Sequence, residues 1–251
     1  MSNFSYQLYS SRNFPPLSDT LAMLSKLGYA QVEGYGGLFA GLNDLSALKA
    51  DLEANNLTMT TGHFGLDMIE ESPERVSQIA RALGMKAVFV PAIPGNERDK
   101  DAPGWADLGI RLAEAGKPLM DAGIRFGWHN HDFEFVDLGG VDLPLDLILG
   151  GAPDLALEFD VAWAVVAGED PYKWITKYSD RLIAAHIKDL APQGEATDED
   201  GWADVGHGVM DWRALMAALR ATPVEYLVME HDNPNDHERF ARRSLAAAEG
   251  L

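Results

Sequence analysis

Four short segments place carboxylate and imidazole side chains at the point where an apolar, strand-like run ends. They are Trp128-His129-Asn130-His131, Leu157-Glu158-Phe159-Asp160, Ala185-His186-Ile187-Lys188-Asp189 and Val228-Met229-Glu230-His231-Asp232. If the strands that carry them run parallel in one closed sheet, all four ends meet at the same edge. Carboxylates and imidazoles that converge on one point bind divalent metal ions. The sequence therefore predicts a metal site, and a catalytic one.

The segments that must position these groups alternate between strand-like and helix-like patterns. The predicted strands are residues 4–9, 29–35, 57–62, 87–91, 125–128, 155–159, 182–187 and 226–230. The predicted helices, caps included, are residues 18–28, 45–55, 72–84, 105–122, 144–149, 171–178, 212–221 and 236–250. Eight such units in 251 residues predict an α/β fold, one (β/α)8 TIM barrel domain over residues 1–251 with its active site at the carboxyl ends of the strands. A doubly wound sheet fits less well, because no Gly-x-Gly-x-x-Gly turn follows the first strand.

The formal charge of −19 and the absence of cysteine narrow the classes of function. An acidic surface repels phosphate backbones and anionic lipid, so we expect neither nucleic acid nor a membrane as a partner. The absence of cysteine excludes disulfides and thiolate ligands and favours a cytoplasmic protein. No segment reaches the length of a membrane span, and residues 1–6 lack the basic cluster of a secretory signal.

Spacing within the segments strengthens the prediction of a site. Glu158 and Asp160 are two residues apart, so both side chains should point into the barrel, with Glu158 one layer deeper. His129 and His131 have the same relation, although His131 is expected to lie in the loop. Buried carboxylates are costly without a positive partner, so four such strand ends indicate a cation between them.

Five motifs together resemble those of a known family. They are residues 128–135 (WHNHDFEF), 158–163 (EFDVAW) with 167–171 (AGEDP), 186–189 (HIKD), 205–208 (VGHG) before Asp211-Trp212, and 230–232 (EHD). Through them the chain resembles the sugar phosphate isomerase/epimerase family, which has the xylose isomerase-like TIM barrel, over essentially its whole length. That family includes epimerases, aldose–ketose isomerases, dehydratases and lyases, so the resemblance does not specify a reaction.

The resemblance implies one divalent metal ion, with Mn²⁺ expected first and Mg²⁺, Co²⁺ or Zn²⁺ as alternatives. Asp160, His186 and Glu230 match the family's ligands from the sixth, seventh and eighth strands. His129 stands where many relatives have a glutamate, so we favour His129 as the fourth ligand, with Glu134 in the following loop as the alternative. Such a mixed set of nitrogen and oxygen ligands excludes soft metals without choosing among these ions.

A metal site of this kind supports proton abstraction beside a carbonyl group. The ion polarises the carbonyl and stabilises the enediolate that forms when the neighbouring carbon loses a proton. Glu230 is the expected base, and Glu134 is a second candidate acid or base. Lys188 is expected either to neutralise the developing oxyanion or to be a surface lysine paired with Asp189. Proton return gives epimerisation or isomerisation, and loss of a β-substituent gives elimination.

Further residues are candidates for substrate binding. His63 and Tyr35 lie at the ends of predicted strands, and His131 and Trp163 flank the expected ligands. Imidazoles and aromatic faces orient sugars by hydrogen bonding and stacking, although core packing is the alternative for Trp163. His207 lies in the Val-Gly-x-Gly turn, where relatives often have glutamate, and is expected either at the rim of the site or behind the residues that line it. Glu33 is a further strand-end candidate.

The sequence thus predicts a metal-dependent sugar or keto-sugar isomerase or epimerase. The alternative enzyme is a lyase or dehydratase acting on a 3-keto sugar, a glycoside or a cyclic polyol. A non-catalytic carbohydrate-binding barrel subunit is a third possibility, and it predicts no tightly bound metal. We expect a small carbohydrate as the substrate, and the resemblance suggests a homodimer or another homo-oligomer.

Overall fold

The computed structural model describes residues 4–42, 44–140 and 142–251. Its main feature is a closed barrel of parallel strands in the order β1-β2-β3-β4-β5-β6-β7-β10. The barrel strands are β1 (Phe4–Gln7), β2 (Gln31–Gly34), β3 (Thr58–His63), β4 (Ala87–Val90), β5 (Arg125–His129), β6 (Ala156–Asp160), β7 (Leu182–Ile187) and β10 (Tyr226–Met229). This topology confirms the predicted TIM barrel. A short antiparallel pair, β8 (Asp189–Leu190) and β9 (Trp202–Ala203), lies in the loop after β7.

Helices follow the strands and surround the barrel. They are α1 (Leu17–Leu27), α2 (Gly36–Ala40), α3 (Leu45–Ala54), α4 (Leu66–Glu71), α5 (Pro73–Leu83), α6 (Ala102–Asp121), α7 (Pro144–Gly151), α8 (Val161–Val166), α9 (Pro171–Lys177), α10 (Trp212–Arg220) and α11 (His237–Glu249). None of the helices in the described part of the chain combines the length and hydrophobicity that crossing a bilayer requires.

Most predicted elements are confirmed, and the differences have local causes. The predicted helix ends at Gly28 and Gly84 are confirmed, since both glycines adopt the left-handed conformation that ends a helix. The predicted N-cap at Ser18 is wrong, because α1 already begins at Leu17. The first strand stops at Gln7, whose side chain accepts a hydrogen bond from Tyr9 N and starts a 3-10 turn. The short helices α2, α4 and α8 were not predicted, since each is only one or two turns long.

Strand register brings the chemistry-bearing residues to one end of the barrel. His129 lies beside Glu158 in the β5–β6 pair, and Asp160 lies beside His186 in the β6–β7 pair. Glu230 directly follows β10, the next strand of the ring. The strands themselves are almost wholly buried, as expected for parallel strands covered by helices. The barrel therefore holds these side chains on rigid, buried backbone.

Candidate active site

The four predicted metal ligands lie together at the carboxyl end of the barrel. One ligand atom from each of His129, Asp160, His186 and Glu230 lies within 4.8 Å of the others, and all four residues are buried. Asp160 Oδ2 is 3.9 Å from both His129 Nε2 and His186 Nδ1, and His186 Nδ1 is 2.8 Å from Glu230 Oε2. We call these four residues the outer cluster.

Asp160 shows why the outer cluster fits a divalent ion. Its Oδ1 accepts a hydrogen bond from Trp163 N at the start of α8, while its buried Oδ2 has no hydrogen-bond partner. Asn130, which sequence reasoning did not single out, fixes the strand end by pairing its side-chain amide with the backbone of Asp160. Burial raises the pKa of Asp160. The ammonium group of Lys188 lies 3.6 Å from Oδ2, beyond hydrogen-bond distance. A buried carboxylate oxygen without a hydrogen bond is costly, and a cation bound among the four residues would satisfy it.

A second group lies deeper, and we call Glu33, His63 and Glu158 the inner layer. His63 Nε2 is 2.5 Å from Glu158 Oε2 and 3.3 Å from Glu33 Oε1. Burial raises the pKa of Glu158 to about 7. Burial also opposes ionisation of Glu33, but the imidazoles of His63 and His186 outweigh it and lower the pKa to about 2. Sequence reasoning placed Glu158 one layer down and Glu33 at a strand end, but it did not foresee that His63 joins them.

Lys188 is fully buried next to the outer cluster. Its Nζ donates to Asp232 Oδ1 at 2.7 Å and to Glu230 Oε2 at 3.2 Å. The rings of Trp163 and Trp202 lie 5.2 and 4.4 Å from the same atom, within range of a cation–π contact. Burial opposes the charge, but the neighbouring carboxylates raise the pKa of Lys188, so it stays an ammonium group.

The alternative of a surface lysine paired with Asp189 is wrong. Asp189 instead accepts hydrogen bonds from the backbone N–H groups at the two ends of the loop after β7, namely those of Leu190, Gly206, Gly208 and Met210. Asp232 accepts a hydrogen bond from Lys188 Nζ. His231 has its backbone N–H on Ser10 Oγ and its ring against Phe240.

Glu134, the alternative fourth ligand, is buried beside the site with both carboxylate oxygens engaged. They accept hydrogen bonds from Trp128 Nε1 at 2.8 Å and from His131 N at 2.9 Å. Burial raises the pKa of Glu134 to about 8. Among the described residues, Glu134 belongs to neither group of ligand atoms that lie within 4.8 Å of one another, so the geometry favours His129.

A pocket of about 220 Å³ opens onto the outer cluster. Its lining includes the candidates His63, Tyr35 and His131, together with Glu230 and Tyr9. The Nδ1 atom of His131 is buried and has no partner in the structure. Trp163 stands next to this pocket, 5.5 Å from the His131 ring.

His207 lies away from this pocket. Its side chain is exposed and lines a separate cavity against Arg239 and Arg243 of α11. The turn that carries it folds back onto Asp189 at the base of the loop. No sequence pattern indicates this position, because the direction of the loop depends on that tertiary contact.

Comparison with known proteins places the fold among related barrels. The sequence profile described as xylose isomerase-like TIM barrel matches residues 21–250. An inosose dehydratase from Lacticaseibacillus casei is 23% identical over 163 residues, and the match covers 57% of this chain and 54% of the relative. The chain thus spans about half the length of the curated relatives it matches.

Solved structures extend the similarity to the whole barrel. A sugar phosphate isomerase/epimerase from Parabacteroides distasonis superposes with a TM-score of 0.82 at 21% identity, covering 98% of this chain and 93% of that one. The IOLI protein, solved with a bound zinc atom, superposes with a TM-score of 0.71 at 14% identity, covering 98% and 95%. At these identities the structures establish the shared fold.

Proposed function

Since the chain belongs to the xylose isomerase-like TIM barrel family, we propose that it is a divalent-metal-dependent sugar or keto-sugar isomerase or epimerase. The observation that carries the proposal is the outer cluster, with the unpartnered Oδ2 of Asp160 at its centre and the Lys188 ammonium beside it. Four strand ends supply these groups, so the arrangement does not depend on one flexible loop.

His129, Asp160, His186 and Glu230 would hold the ion, with Mn²⁺ as the first choice and Mg²⁺, Co²⁺ or Zn²⁺ as alternatives. When bound, the ion supplies Lewis-acid polarisation of a substrate carbonyl. The mixed imidazole and carboxylate donors suit all of these ions better than soft metals.

The chain's own residues would then move the proton. Glu230 lines the pocket and accepts the proton from the carbon next to the carbonyl. Lys188, 3.2 Å from Glu230 Oε2, stabilises the negative charge that develops on the substrate oxygen. The free Nδ1 of His131 is available to a substrate hydroxyl, and Tyr35 and His63 form the pocket wall. Return of the proton to a carbon completes the isomerisation or epimerisation.

A dehydratase is the second candidate, and a specific observation favours it. Lys188 Nζ lies 3.2 Å from Oε2 of the proposed base Glu230. An adjacent base and acid can remove a proton and protonate a departing β-hydroxyl, so that one water leaves and a double bond forms. The similarity to inosose dehydratases points the same way and suggests a cyclic keto-polyol as substrate.

Deuterium exchange would test the proposal. Metal-stripped protein is incubated in D₂O with candidate ketoses and keto-polyols, before and after Mn²⁺ is added. Metal-dependent exchange at the carbon beside the carbonyl, with the carbon skeleton and its hydroxyls retained, is the expected result. Release of water with formation of an enone identifies the dehydratase instead. Failure to bind Mn²⁺ would contradict both and support a carbohydrate-binding barrel.

A further inference from the structure

The two carboxylates of the inner layer, Glu33 and Glu158, have no part in the chemistry proposed above, yet they contact the two histidines of the outer cluster. His186 directs Nδ1 towards Glu230 and Nε2 towards Glu33 Oε1, which is 2.8 Å away. His129 directs Nε2 towards Asp160 and Nδ1 towards Glu158 Oε2, which is 3.1 Å away. Each imidazole therefore lies between an outer and an inner carboxylate.

Both edges of these rings are candidate metal positions. His63, His129, Glu158 and His186 also place ligand atoms within 4.8 Å of one another. An ion on each edge would require both imidazoles to lose both ring protons, which neutral imidazole does not do readily. The two positions therefore exclude each other, and the structure must favour one of them.

Charge favours the outer position. The outer cluster offers a divalent ion two carboxylates, Asp160 and Glu230, whereas the inner group of ligand atoms offers only that of Glu158. Ligand bonds to these metals are about 2.0–2.2 Å long, so two ligands of one ion lie about 3–4 Å apart. The gaps of 3.9 Å from Asp160 Oδ2 to each imidazole fit that spacing. Each group also has a contact of hydrogen-bond length, 2.5 Å for His63–Glu158 in the inner group and 2.8 Å for His186–Glu230 in the outer cluster.

We propose that Glu33 and Glu158 are positioning residues that hold the ring proton of His186 on Nε2 and that of His129 on Nδ1, which leaves the outer nitrogens free to bind the ion. This inference rests on the proposed metal-dependent function. His63 joins the two carboxylates, and Gln7 Nε2 donates to Glu33 Oε1 at 2.8 Å and anchors that end of the layer. A carboxylate behind a metal-binding histidine orients the ring and makes its free nitrogen more basic.

Cobalt binding would test the inference without any assay of activity. Glu33→Gln and Glu158→Gln keep the shape of each side chain and remove its charge. Each should raise the Kd for Co²⁺, measured by competition with a colorimetric chelator, about 10–100-fold and shift the visible Co²⁺ spectrum. Because His63 contacts both Glu33 and Glu158, the loss of Co²⁺ affinity in the double variant should be smaller than the product of the two single losses.

The matched control is Glu199→Gln, since Glu199 is nearly buried but pairs with Arg239. The Kd of this control variant for Co²⁺ should stay within about twofold of the wild-type value, because Glu199 lies away from the site.

Nuclear magnetic resonance of the Zn²⁺-loaded wild type, labelled with ¹⁵N-histidine, provides a measurement that does not depend on the variants folding. The expected spectrum has the His186 proton on Nε2 and the His129 proton on Nδ1. The opposite tautomer at either ring, or unchanged Co²⁺ affinity and spectrum in two folded glutamine variants, overturns the inference while the proposed function stands. A wild-type chain that binds no Co²⁺ overturns both.

Discussion

The two halves of the barrel mouth differ in what they offer a substrate. The half built on β5, β6, β7 and β10, the acidic half, carries the outer cluster and Lys188 on buried strand ends. The half built on β1 to β4, the aromatic half, lines the pocket with Tyr9, Tyr35 and the Pro91-Ala92 segment. The comparison teaches that the proposed metal ligands come from buried strand ends, while the proposed substrate-binding surface comes mainly from the segments that follow the strands.

Removing a ligand from the acidic half should have the largest effect. Asp160→Asn keeps an N-cap for α8 but removes the charge of the unpartnered oxygen. We expect the Kd for Mn²⁺ to rise by at least about 100-fold, the upper range seen for residues that only support a ligand. Isothermal titration would measure it. Asp170→Asn, at the N-cap of α9, is the control, and an equal loss there would contradict the assignment.

Replacing the proposed base should come next. Glu230→Gln should lower kcat about 10²–10⁴-fold at saturating Mn²⁺, since general base catalysis contributes that much. Rate measurements over a range of Mn²⁺ concentrations would separate this loss from weaker metal binding. If kcat returns to the wild-type value at high Mn²⁺, Glu230 is a ligand and not the base.

Removing the buried cation should change stability as well as rate. Lys188→Met leaves Asp160, Glu230 and Asp232 without their ammonium partner. We expect the free energy of unfolding of the metal-free protein to fall by about 3–5 kcal/mol, with part of the loss recovered when Mn²⁺ binds. Urea unfolding would measure both.

A surface lysine provides the control for that experiment. Lys173→Met breaks an exposed pair with Glu169 and should cost less than about 1 kcal/mol. If the two lysine variants lose the same stability, Lys188 does not hold the acidic half together.

The smallest effects should come from the aromatic half. Tyr35→Ala should raise KM about 10-fold with the Mn²⁺ affinity unchanged, because it removes a pocket wall and no ligand. His207→Ala, outside the pocket, should change KM less than about twofold. A larger effect at His207 than at Tyr35 would reverse the roles given to these regions.

The barrel and the outer cluster follow closely from the sequence because both depend on short-range regularities. Strand and helix patterns repeat in order, and each cluster residue comes at or just after the end of an apolar run, as with Asp160 and Glu230. Closing the sheet then brings those ends together whatever the exact strand limits are.

The remaining features depend on contacts between distant residues. Nothing adjacent to Lys188 in the sequence indicates that Trp202 and Asp232 enclose it, or that His63 links Glu33 to Glu158. The helices α2, α4 and α8 are too short for a periodic pattern and are stabilised by their surroundings. The direction of the turn that carries His207 likewise depends on its contacts with Asp189.

The carboxylate of Asp189 ties together both ends of the loop after β7 through its four backbone hydrogen bonds. At Gly208 an added Cβ would lie 2.2 Å from Asp189 Oδ1, so the turn accepts no larger residue there. Because both ends of the loop are held by Asp189, the position of Lys188 does not depend on the length of the segment between them. We therefore expect insertions or deletions between the tied ends to change the shape of this loop and to leave the outer cluster in place.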